Sequence, residues 1–425
     1  MSVESPPKRA ARSGAPRRRV SRPVAGLLRR QLAAYSPLSL RGIVQAALPA
    51  LASGGDPRPA LRDVLSLAYS ADSVLLTGSG AQALELALRA ARNPVGETPT
   101  PIVALPAFTC FEVASAAVGA GFRIALYDIE PHTLAPDLDS LAAVLSWGAQ
   151  IVVAAPLYGV PFDWQAVEDL AAGFGATVIE DAAQGHGARW GGRTLGSLGA
   201  ISVLSFGRGK GWTGNRGGAV LCRRGSLAGA GFGLMAEPGP VAEMSVILAA
   251  LTQWGFGRPS WYALPASLPF LGLGETRYRD PEPPAAMGRA AAGLIEHTRP
   301  LAELEEFARR ANALDLLARM PVTDDVNPVR CQPGGEPGYL RLPVLLSGGL
   351  GGFARPREAL HLGIAPGYPS TLAELPAVCA RLAQRIGRWP GAETLVHELV
   401  TLPTHSRLTT SDRAALGRLF EQYPQ

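Results

Sequence analysis

The chain alternates between short apolar runs and longer segments in which apolar residues recur at helical spacing. The apolar runs predict strands over residues 73–76, 101–105, 123–127, 149–155, 176–179 and 201–206. The helical spacing predicts helices after Gly78, over 111–120 and over 164–173. Because strands alternate with helices, we expect an α/β fold with a mostly parallel central sheet that is covered on both faces.

Length and composition indicate a folded protein with a large core. The chain has 425 residues, of which 47% are hydrophobic and 18% are charged, so it exceeds the usual size of one domain. Its glycines and prolines follow no period and no heptad persists, which excludes collagen and coiled coils. The most apolar run, 245–256, is too short to span a bilayer. We interpret it as a helix buried in a core or at a subunit interface.

The positive charge of the chain is concentrated near its start. Residues 1–42 hold ten basic side chains and one acidic one, a net charge of +9, whereas the remaining residues hold 30 basic and 34 acidic ones, a net charge of −4. We therefore predict a basic, flexible and solvated N-terminal arm over 1–44 on a mildly acidic body. Contact of the arm with nucleic acid or anionic lipid stays open, and the body is not expected to bind nucleic acid.

Targeting signals and cysteine spacing favour a cytoplasmic protein without a bound metal. No apolar stretch with a small-residue cleavage site follows the basic start, which argues against a secretory signal. We also expect no transmembrane segment. The four cysteines stand far apart, with no Cys-x-x-Cys pair, which fits reduced thiols better than disulfides or a zinc site.

Lysine is almost absent from the chain. Of 40 basic residues only Lys8, in the arm, and Lys210, in the body, are lysines. A guanidinium stays protonated and cannot condense with an aldehyde, whereas a desolvated lysine can lose its proton and form an imine. Lys210 is therefore a candidate for covalent chemistry, although chance retention of one lysine would give the same pattern.

Three candidate functional features follow predicted strands. The turn 78–83 opens a helix, whose first backbone N–H groups and positive dipole end can bind a phosphate. Asp181 comes directly after a buried strand, and Lys210 follows another through Gly-Arg-Gly. Ligands of parallel sheets bind beyond the carboxyl ends of the strands, so we expect these features to share one site.

The turn 78–83 also satisfies the dinucleotide-binding pattern Gly-x-Gly-x-x-Ala. That pattern needs an acidic residue at the end of the next strand, about 20 residues on, to bind the ribose. The next strand ends in Leu-Pro-Ala at 105–107, and Glu97 lies in the loop before it. We therefore favour a phosphate site over a nicotinamide site.

A series of motifs in fixed order runs through the chain. It comprises Pro-Ala-Phe-Thr at 106–109, Leu-Tyr-Gly at 157–159, Glu-Asp-Ala-Ala-Gln-Gly-His-Gly at 180–187, Gly-Ser-Leu-Gly at 196–199, Ser-Phe at 205–206, Lys210, Gly-Gly at 217–218, Leu-Pro-Val at 342–344 and Leu-Pro-Thr-His at 402–405. In this order the motifs resemble the DegT/DnrJ/StrS family, the sugar aminotransferase branch of the fold type I pyridoxal phosphate (PLP) enzymes. The resemblance covers roughly residues 45–425.

The resemblance implies the roles of the site residues. Lys210 would bind the PLP aldehyde as a Schiff base and, once released, move a proton between substrate and cofactor. Asp181 would pair with the pyridinium nitrogen and keep it protonated, so that the ring withdraws electrons. Gln184 would lie near the phenolic oxygen or the ring face. Ser205 would bind the phosphate together with backbone N–H groups around Gly80.

Each of these residues also has a purely structural alternative. Asp181 could cap a helix, Ser205 could be an ordinary small strand residue, and Gln184 could be solvated. His186 is interpreted as packing or loop structure rather than as a catalytic residue.

The chain departs from the family pattern at several site positions. Ala81 replaces a threonine of the phosphate loop, and Cys110 stands where an aromatic residue that stacks on the ring is common. We still expect both to contact the cofactor. Pro156 replaces a frequent histidine, Asn-Arg at 215–216 replaces Gly-Glu, and Arg277 aligns with an asparagine that reaches the neighbouring subunit's phosphate. These changes indicate a divergent branch with an unusual acceptor.

The resemblance implies a large PLP-binding domain over 45–265 and a smaller C-terminal α/β domain over 266–425, in a homodimer with a shared active site. The predicted reaction is transamination from a glutamate- or glutamine-like donor to a keto group of a nucleotide-linked sugar or related biosynthetic intermediate. The presence of Lys210 argues against the family branch that uses histidine there for dehydration. Elimination, decarboxylation or aldol-type PLP chemistry, and a catalytically silent regulatory member, stay open.

Overall fold

The computed structural model describes residues 29–51, 55–92, 100–223, 235–266, 276–383 and 387–423. Its helices are α1 (Leu40–Leu51), α2 (Arg58–Tyr69), α3 (Gly80–Ala91), α4 (Phe111–Gly119), α5 (Leu138–Ser146), α6 (Trp164–Gly173), α7 (Pro240–Phe256), α8 (Pro259–Ala266), α9 (Arg289–Arg319), α10 (Pro356–His361), α11 (Pro376–Cys379), α12 (Pro390–Glu398) and α13 (Thr410–Glu421). Its strands are β1 (Ser73–Thr77), β2 (Ile102–Pro106), β3 (Arg123–Tyr127), β4 (Ala149–Ala154), β5 (Thr177–Asp181), β6 (Arg189–Trp190), β7 (Arg193–Thr194), β8 (Ile201–Ser205), β9 (Gly218–Cys222), β10 (Val326–Pro328), β11 (Gly335–Glu336), β12 (Leu342–Leu346), β13 (Ala365–Pro366) and β14 (Leu399–Leu402).

The central sheet, as far as the described residues show it, has seven strands in the order β1-β9-β8-β5-β4-β2-β3. β8, β5, β4, β2 and β3 are parallel to one another, and β9 runs antiparallel between β8 and β1. The prediction of an α/β fold with a mostly parallel sheet is confirmed. All six predicted strands form, with ends within two residues of those predicted. The sequence analysis missed β9, whose five residues begin at the second glycine of the pair 217–218.

Alternating side chains of the parallel strands supply two hydrophobic cores, one on each face of the sheet. On β4, Val152 and Ala154 belong to one core, whereas Ile151 and Val153 belong to the other. Successive residues of a strand point to opposite faces, so a strand covered on both sides reads as a continuous apolar run. The predicted helices at α3, α4 and α6 form, and each buries apolar residues against the sheet or a neighbouring helix.

A second, antiparallel sheet lies within residues 326–402, in the order β10-β12-β14-β13. It has a hydrophobic core of its own, to which α9 contributes Leu316 and α13 contributes Leu416 and Phe420. The small sheet β11-β6-β7 joins a segment of this C-terminal region to the loop after β5. The domain boundaries given above stay predictions.

The apolar run 245–256 forms most of α7 and is buried on one side only. Val246, Ile247 and Ala250 are buried, whereas Leu248 and Leu251 are exposed. α1, α8 and α9 pack against α7. Burial within a core therefore describes only one side of the helix, and the alternative, a helix at a subunit interface, stays a prediction. In the described ranges we find no helix whose length and apolar character would let it cross a membrane.

The predicted N-terminal arm is only partly described, since residues 1–28 lie outside the described ranges. From Arg29 onwards the chain packs against the body: Arg29 and Gln31 both donate hydrogen bonds to the Asp412 carboxylate. Leu32 and Ile43 are buried. Residues 29–44 are therefore not a solvated arm, because their apolar side chains and charge partners hold them in place.

Candidate active site

The carboxyl ends of β5 and β8 and the N-terminus of α3 meet at one pocket. Every residue predicted for the site lines it. The lining consists of Gly80, Ala81, Leu84, Thr109, Cys110, Glu112, Val113, Ala155, Pro156, Leu157, Asp181, Ala183, Gln184, Ser205 and Lys210. Among these residues, Glu112 was not predicted, and it adds a carboxylate to the pocket wall.

The N-terminus of α3 forms a cradle for an anion. Ser79 caps the helix: its Oγ accepts a hydrogen bond from the amide of Gln82 at 3.2 Å, and its carbonyl accepts one from the amide of Ala83 at 3.0 Å. The first helical amides, those of Gly80 and Ala81, have no intrahelical acceptor and lie at the positive end of the helix dipole. A phosphate group fits this arrangement.

Ser205 lies directly against this cradle. A Cβ atom at Gly80 would come within 2.6 Å of the Ser205 Cβ, so the two elements can approach this closely only with glycine at that position. The loop before α3 is held from both sides, because the amide of Gly217 donates to the Gly78 carbonyl at 3.0 Å and the amide of Gly78 donates to the Ala285 carbonyl at 2.8 Å. The hydroxyl of Ser205 is thereby placed beside the helix N-terminus.

Lys210 lies on a turn after β8 that the N-terminal segment holds in place. Gly209 in this turn has φ of 79°, a conformation that costs glycine little. Ser36 Oγ accepts a hydrogen bond from the amide of Gly209 at 2.9 Å and donates one to the carbonyl of Lys210 at 2.8 Å. The sequence analysis missed Ser36 because it assigned this segment to the arm. A serine among apolar residues, in the run 32–40, was the available signal.

Asp181 ends β5 and lines the same pocket as Lys210. Its Oδ1 accepts a hydrogen bond from the amide of Ala183 at 3.1 Å, within a loop, so it does not cap a helix. Burial raises the pKa of the Asp181 carboxyl, and the positive charge of Lys210 opposes that shift. The site therefore combines a buried carboxyl group and an amine.

Glu180 precedes Asp181 on β5 and points to the opposite face of the sheet, where it is fully buried. Its carboxylate accepts hydrogen bonds from three amides and one hydroxyl. The donors are Gly196 N at 2.5 Å, Leu198 N at 2.9 Å, Gly199 N at 3.2 Å and Ser202 Oγ at 2.7 Å. Glu180 thus fixes the glycine-containing turn beside β5. An acidic residue within an apolar strand was a signal of this role that the sequence analysis did not use.

Gln184 is held at both ends of its carboxamide and is not solvated. Its Oε1 accepts a hydrogen bond from the amide of Tyr158 at 3.0 Å, and its Nε2 donates one to the hydroxyl of Tyr368 at 2.9 Å. The Tyr368 ring packs against Phe108, with ring centroids 5.2 Å apart. Burial raises the pKa of Tyr368 well above its usual value, so the hydroxyl stays protonated. No motif pointed to Tyr368.

The segment of the chain that forms this pocket is similar to known proteins. Residues 53–236 match the model of the DegT/DnrJ/EryC1/StrS aminotransferase family. Residues 53–236 belong to this family. The predicted resemblance is thereby confirmed, and the pocket residues from Gly80 to Lys210 all lie within the DegT/DnrJ/EryC1/StrS segment.

Two relatives of known activity align with parts of this segment. 3-Amino-5-hydroxybenzoate synthase of Amycolatopsis mediterranei is 32% identical over 168 residues, which are 40% of this chain and 42% of the relative. L-glutamine:2-deoxy-scyllo-inosose aminotransferase of Streptomyces kanamyceticus is 34% identical over 143 residues, which are 34% of this chain and 33% of the relative. The alignments thus span less than half the length of either relative.

A solved structure extends the similarity of fold to most of the chain. The crystal structure of a DegT/DnrJ/EryC1/StrS aminotransferase from Brucella abortus matches with a TM-score of 0.69 at 18% identity, covering 90% of this chain and 95% of that one. The fold is therefore that of this family beyond residue 236, where the family model no longer matches.

The residues of this DegT/DnrJ/EryC1/StrS site fit PLP. Lys210 offers an amine to an aldehyde, Asp181 offers a carboxyl group to a ring nitrogen, and Ser205 offers a hydroxyl to a phosphate beside the free helix amides. Ser205 occupies the space that a Cβ at Gly80 would need. Its hydroxyl and the first amides of α3 are therefore close enough to bind one phosphate.

The structure also shows the surroundings of Cys110 and His186. Cys110, at the start of α4, lines the pocket where the family commonly has an aromatic ring, and burial raises the pKa of its thiol to about 11, so the thiol is neutral. His186 does not line the pocket. It contacts Arg309, and burial together with that positive charge lowers its pKa to about 3. A packing role for His186 agrees with this environment.

Proposed function

We propose that the protein is a PLP-dependent aminotransferase. The observation that carries this proposal is the meeting, in one pocket, of the body's single lysine with a strand-end carboxyl group and an anion cradle. A nicotinamide dinucleotide would use the cradle but would leave Lys210 without a role. PLP, when bound, supplies an electron-withdrawing ring that stabilises negative charge at the substrate carbon.

The chain's own residues would bind and orient PLP and the substrate. Asp181 would keep a proton on the ring nitrogen, and the amides of Gly80 and Ala81 would bind the phosphate with Ser205. Lys210 Nζ would take the proton from the substrate α-carbon. It would then deliver that proton to the cofactor carbon that carries the amino nitrogen. The Ser36 hydrogen bonds would limit the movement of the Lys210 backbone while its side chain moves.

The proposed substrates are an amino acid that donates nitrogen and a keto compound that accepts it. The name of the Streptomyces kanamyceticus relative, which specifies L-glutamine as donor and a cyclitol ketone as acceptor, supports a glutamate- or glutamine-like donor and a sugar-like acceptor. The replacement of an aromatic ring by Cys110 and the presence of Glu112 in the pocket support an acceptor that differs from those of the relatives.

We further propose a homodimer in which the partner subunit completes the active site. The support for this proposal is the resemblance alone, because the hydrogen bonds of the segment 277–285 to Gly78 and Gln82, made by Ala285 and Pro283, lie within one chain. The resemblance described above assigns the residue at 277 to the neighbouring phosphate. Light scattering of the purified protein measures the oligomeric state.

The covalent bond to Lys210 provides the decisive test. The protein is incubated with PLP, reduced with borohydride, digested and analysed by mass spectrometry. We expect a pyridoxyl group on Lys210, its loss in Lys210→Gln, and no change in Lys8→Gln, which removes the other lysine. In a separate sample, loaded with PLP but neither reduced nor digested, labelled glutamine should convert the bound cofactor to the amine form and release the keto acid. Absence of the pyridoxyl group from Lys210 would contradict the proposal. Release of a decarboxylated or eliminated product in place of the keto acid would contradict it as well.

A further inference from the structure

Arg341 is a cation that has no carboxylate partner among the described residues. It directly precedes β12, and its Nε atom is buried without a hydrogen-bond partner. A guanidinium carries five N–H groups. Within the described ranges this one donates a single hydrogen bond, from Nη2 to the carbonyl of Thr401 at 3.3 Å. Most of its hydrogen-bonding capacity is therefore unused.

The groups around Arg341 do not balance its charge. Burial lowers the pKa of this guanidinium, and the groups that oppose the shift are the hydroxyls of Tyr158, Tyr368 and Tyr262. Burial raises the pKa of each of these hydroxyls, so they stay protonated and uncharged. A guanidinium stays charged, and a buried charge without a counter-charge is costly. An anion that is not part of the described chain would remove that cost.

Two other arginines in the interior show that this arrangement is not general in the chain. Arg223 lies near the carboxylate of Glu180, and Arg309 lies near that of Glu305. In both cases the negative charge favours the charged guanidinium and opposes the effect of burial on its pKa. The corresponding groups near Arg341 are uncharged hydroxyls. Among these three arginines the counter-charge is therefore missing only at Arg341.

The backbone before Arg341 lies against the wall of the candidate active site. The amide of Gly338 donates a hydrogen bond to the carbonyl of Gly159 at 2.9 Å. A Cβ atom at Gly159 would come within 3.4 Å of the amide nitrogen of Leu340. Leu157, in the same loop as Gly159, lines the pocket. The segment that leads to Arg341 and the pocket wall are thus in direct contact.

Two of the tyrosines around Arg341 also hold the pocket residue Gln184. The amide of Tyr158 donates a hydrogen bond to Gln184 Oε1, and Gln184 Nε2 donates one to the Tyr368 hydroxyl. Arg341 itself is not among the residues that line the pocket. Its hydrogen bond to Thr401 is longer than the usual length of about 2.9 Å, so the guanidinium can give it up at little cost and turn towards the pocket.

The pocket itself lacks a free cation for an anionic substrate. Its described lining has three charged residues, Lys210, Asp181 and Glu112. In the function proposed above, Lys210 reacts with PLP and Asp181 pairs with the ring nitrogen. An anionic group of the substrate would then meet the carboxylate of Glu112 with no positive charge in the described lining to balance it. Arg341 can supply that charge.

We propose that Arg341 binds an anionic group of the substrate, which is either a carboxylate of the amino donor or a phosphate of a nucleotide-linked acceptor. This role rests on the aminotransferase function proposed above. Carboxylate and phosphate both present two oxygens that match the N–H groups of a guanidinium, so two parallel, charge-assisted hydrogen bonds form. The guanidinium exchanges its long hydrogen bond to Thr401 for these two, and the bound anion supplies the missing counter-charge.

Calorimetric titration of the full-length, PLP-loaded protein measures this binding. The two probes are glutarate, which carries two carboxylates and no amino group, and uridine diphosphate, and neither can be transaminated. We expect at least one probe to bind, and its Kd to rise about 30-fold or more in Arg341→Gln through the loss of charge-assisted hydrogen bonds. Arg341→Lys, which keeps the charge but not the fork of N–H groups, should restore part of the affinity.

The two probes distinguish the sources of the anion. A loss of affinity confined to glutarate assigns Arg341 to the carboxylate of the donor, a loss confined to uridine diphosphate assigns it to the acceptor phosphate, and a loss for both at unchanged stability shows that both anions use it. The matched control is Arg310→Gln, which removes an exposed arginine of α9 paired with Glu336 and should bind both probes as the unaltered chain does. Unchanged affinities in Arg341→Gln, or no binding of either probe by the unaltered chain, overturn the proposal.

Two further measurements separate substrate binding from a structural role and from the proposed function. Because the removed charge has no carboxylate partner in the described chain, Arg341→Gln should unfold at the same urea concentration as the unaltered chain or at a higher one. A lower unfolding midpoint with equal losses for both probes would indicate a structural role and overturn the proposal. The pyridoxyl label on Lys210 should be the same in both chains. Absence of that label from the unaltered chain contradicts the aminotransferase function, whereas a labelled chain with unchanged probe affinities overturns the role of Arg341 alone.

Discussion

Tyr368 and Gln184 show how one hydrogen bond links the candidate active-site pocket to a segment from the C-terminal half of the chain. Gln184 lines the pocket, and its carboxamide is fixed between a backbone amide and the Tyr368 hydroxyl. A glutamine without these partners could rotate, and either its oxygen or its NH2 group could then face the pocket. Tyr368 is therefore a positioning residue whose effect is transmitted through Gln184.

Removal of the hydroxyl in Tyr368→Phe should lower kcat/KM for the amino donor about fivefold, the equivalent of about one ordinary hydrogen bond of 1 kcal/mol. The free energy of unfolding should change little, because the ring still packs against Phe108. Steady-state kinetics and urea unfolding measure the two effects. The control is Tyr35→Phe, whose hydroxyl contacts Arg407 outside the pocket. Equal kinetics in the two variants would show that the hydroxyl does not position Gln184.

Glu180 makes a different kind of contribution, to stability rather than to chemistry. In Glu180→Gln an amide NH2 group would face N–H donors, which leaves buried donors without an acceptor. We expect the free energy of unfolding to fall by about 2–4 kcal/mol, as measured in urea. The exposed Glu303, paired with Arg299 on α9, provides the control, since Glu303→Gln should cost less than about 1 kcal/mol. A change in Glu180→Gln as small as that of the control would contradict the assigned role.

At the scale of the elements, the N-terminal segment is attached to α13 through one carboxylate. Burial would raise the pKa of Asp412, but hydrogen bonds from Arg29 and Thr409 outweigh burial and lower that pKa to about 2. Asp412 also caps α13 with Thr409. The attached segment continues to Ser36, which holds the turn of Lys210, and the carbonyl of Leu32 also contacts His405 Nε2 at 2.9 Å.

This attachment should be sensitive to acid. Because the pKa of Asp412 is lowered in the folded state, its stabilising effect is complete above the unfolded pKa of about 4 and is lost as the pH falls towards 2. Hydrogen exchange of residues 29–36 should therefore accelerate, relative to the rest of the fold, between these pH values. In Asp412→Asn the exchange should be fast already at neutral pH, and the acid dependence should disappear. Persistence of that dependence in the variant would assign it to another group.

At the scale of the whole molecule, the sequence predicted the parts of the fold that rest on local patterns. Continuous apolar runs predicted the strands of the central sheet, because strands covered on both faces need no polar alternation. The seven predicted site residues share one pocket because parallel strands bring their carboxyl ends to one edge. Their roles towards PLP stay predictions until the cofactor is bound.

What the sequence did not predict depends on contacts between distant segments. Ser36 reaches Lys210 across 174 positions, and Gln184 reaches Tyr368 across 184. The periodicity of a short segment cannot predict hydrogen bonds between residues so far apart in the sequence. The arm boundary was misplaced for the same reason: positive charge indicated solvation, whereas Leu32, Ile43 and the Asp412 carboxylate hold residues 29–44 against the fold.

The scarcity of lysine makes the turn that carries Lys210 accessible to a simple protease assay. An endoproteinase that cuts only after lysine has two possible cleavage points in this chain, after Lys8 and after Lys210. Cutting at the second point requires the turn to leave its Ser36 clamp, so the rate of cleavage of the native protein reports how often the turn opens. Ser36→Ala should be cut faster than the unaltered chain, and added PLP should slow the cleavage of both.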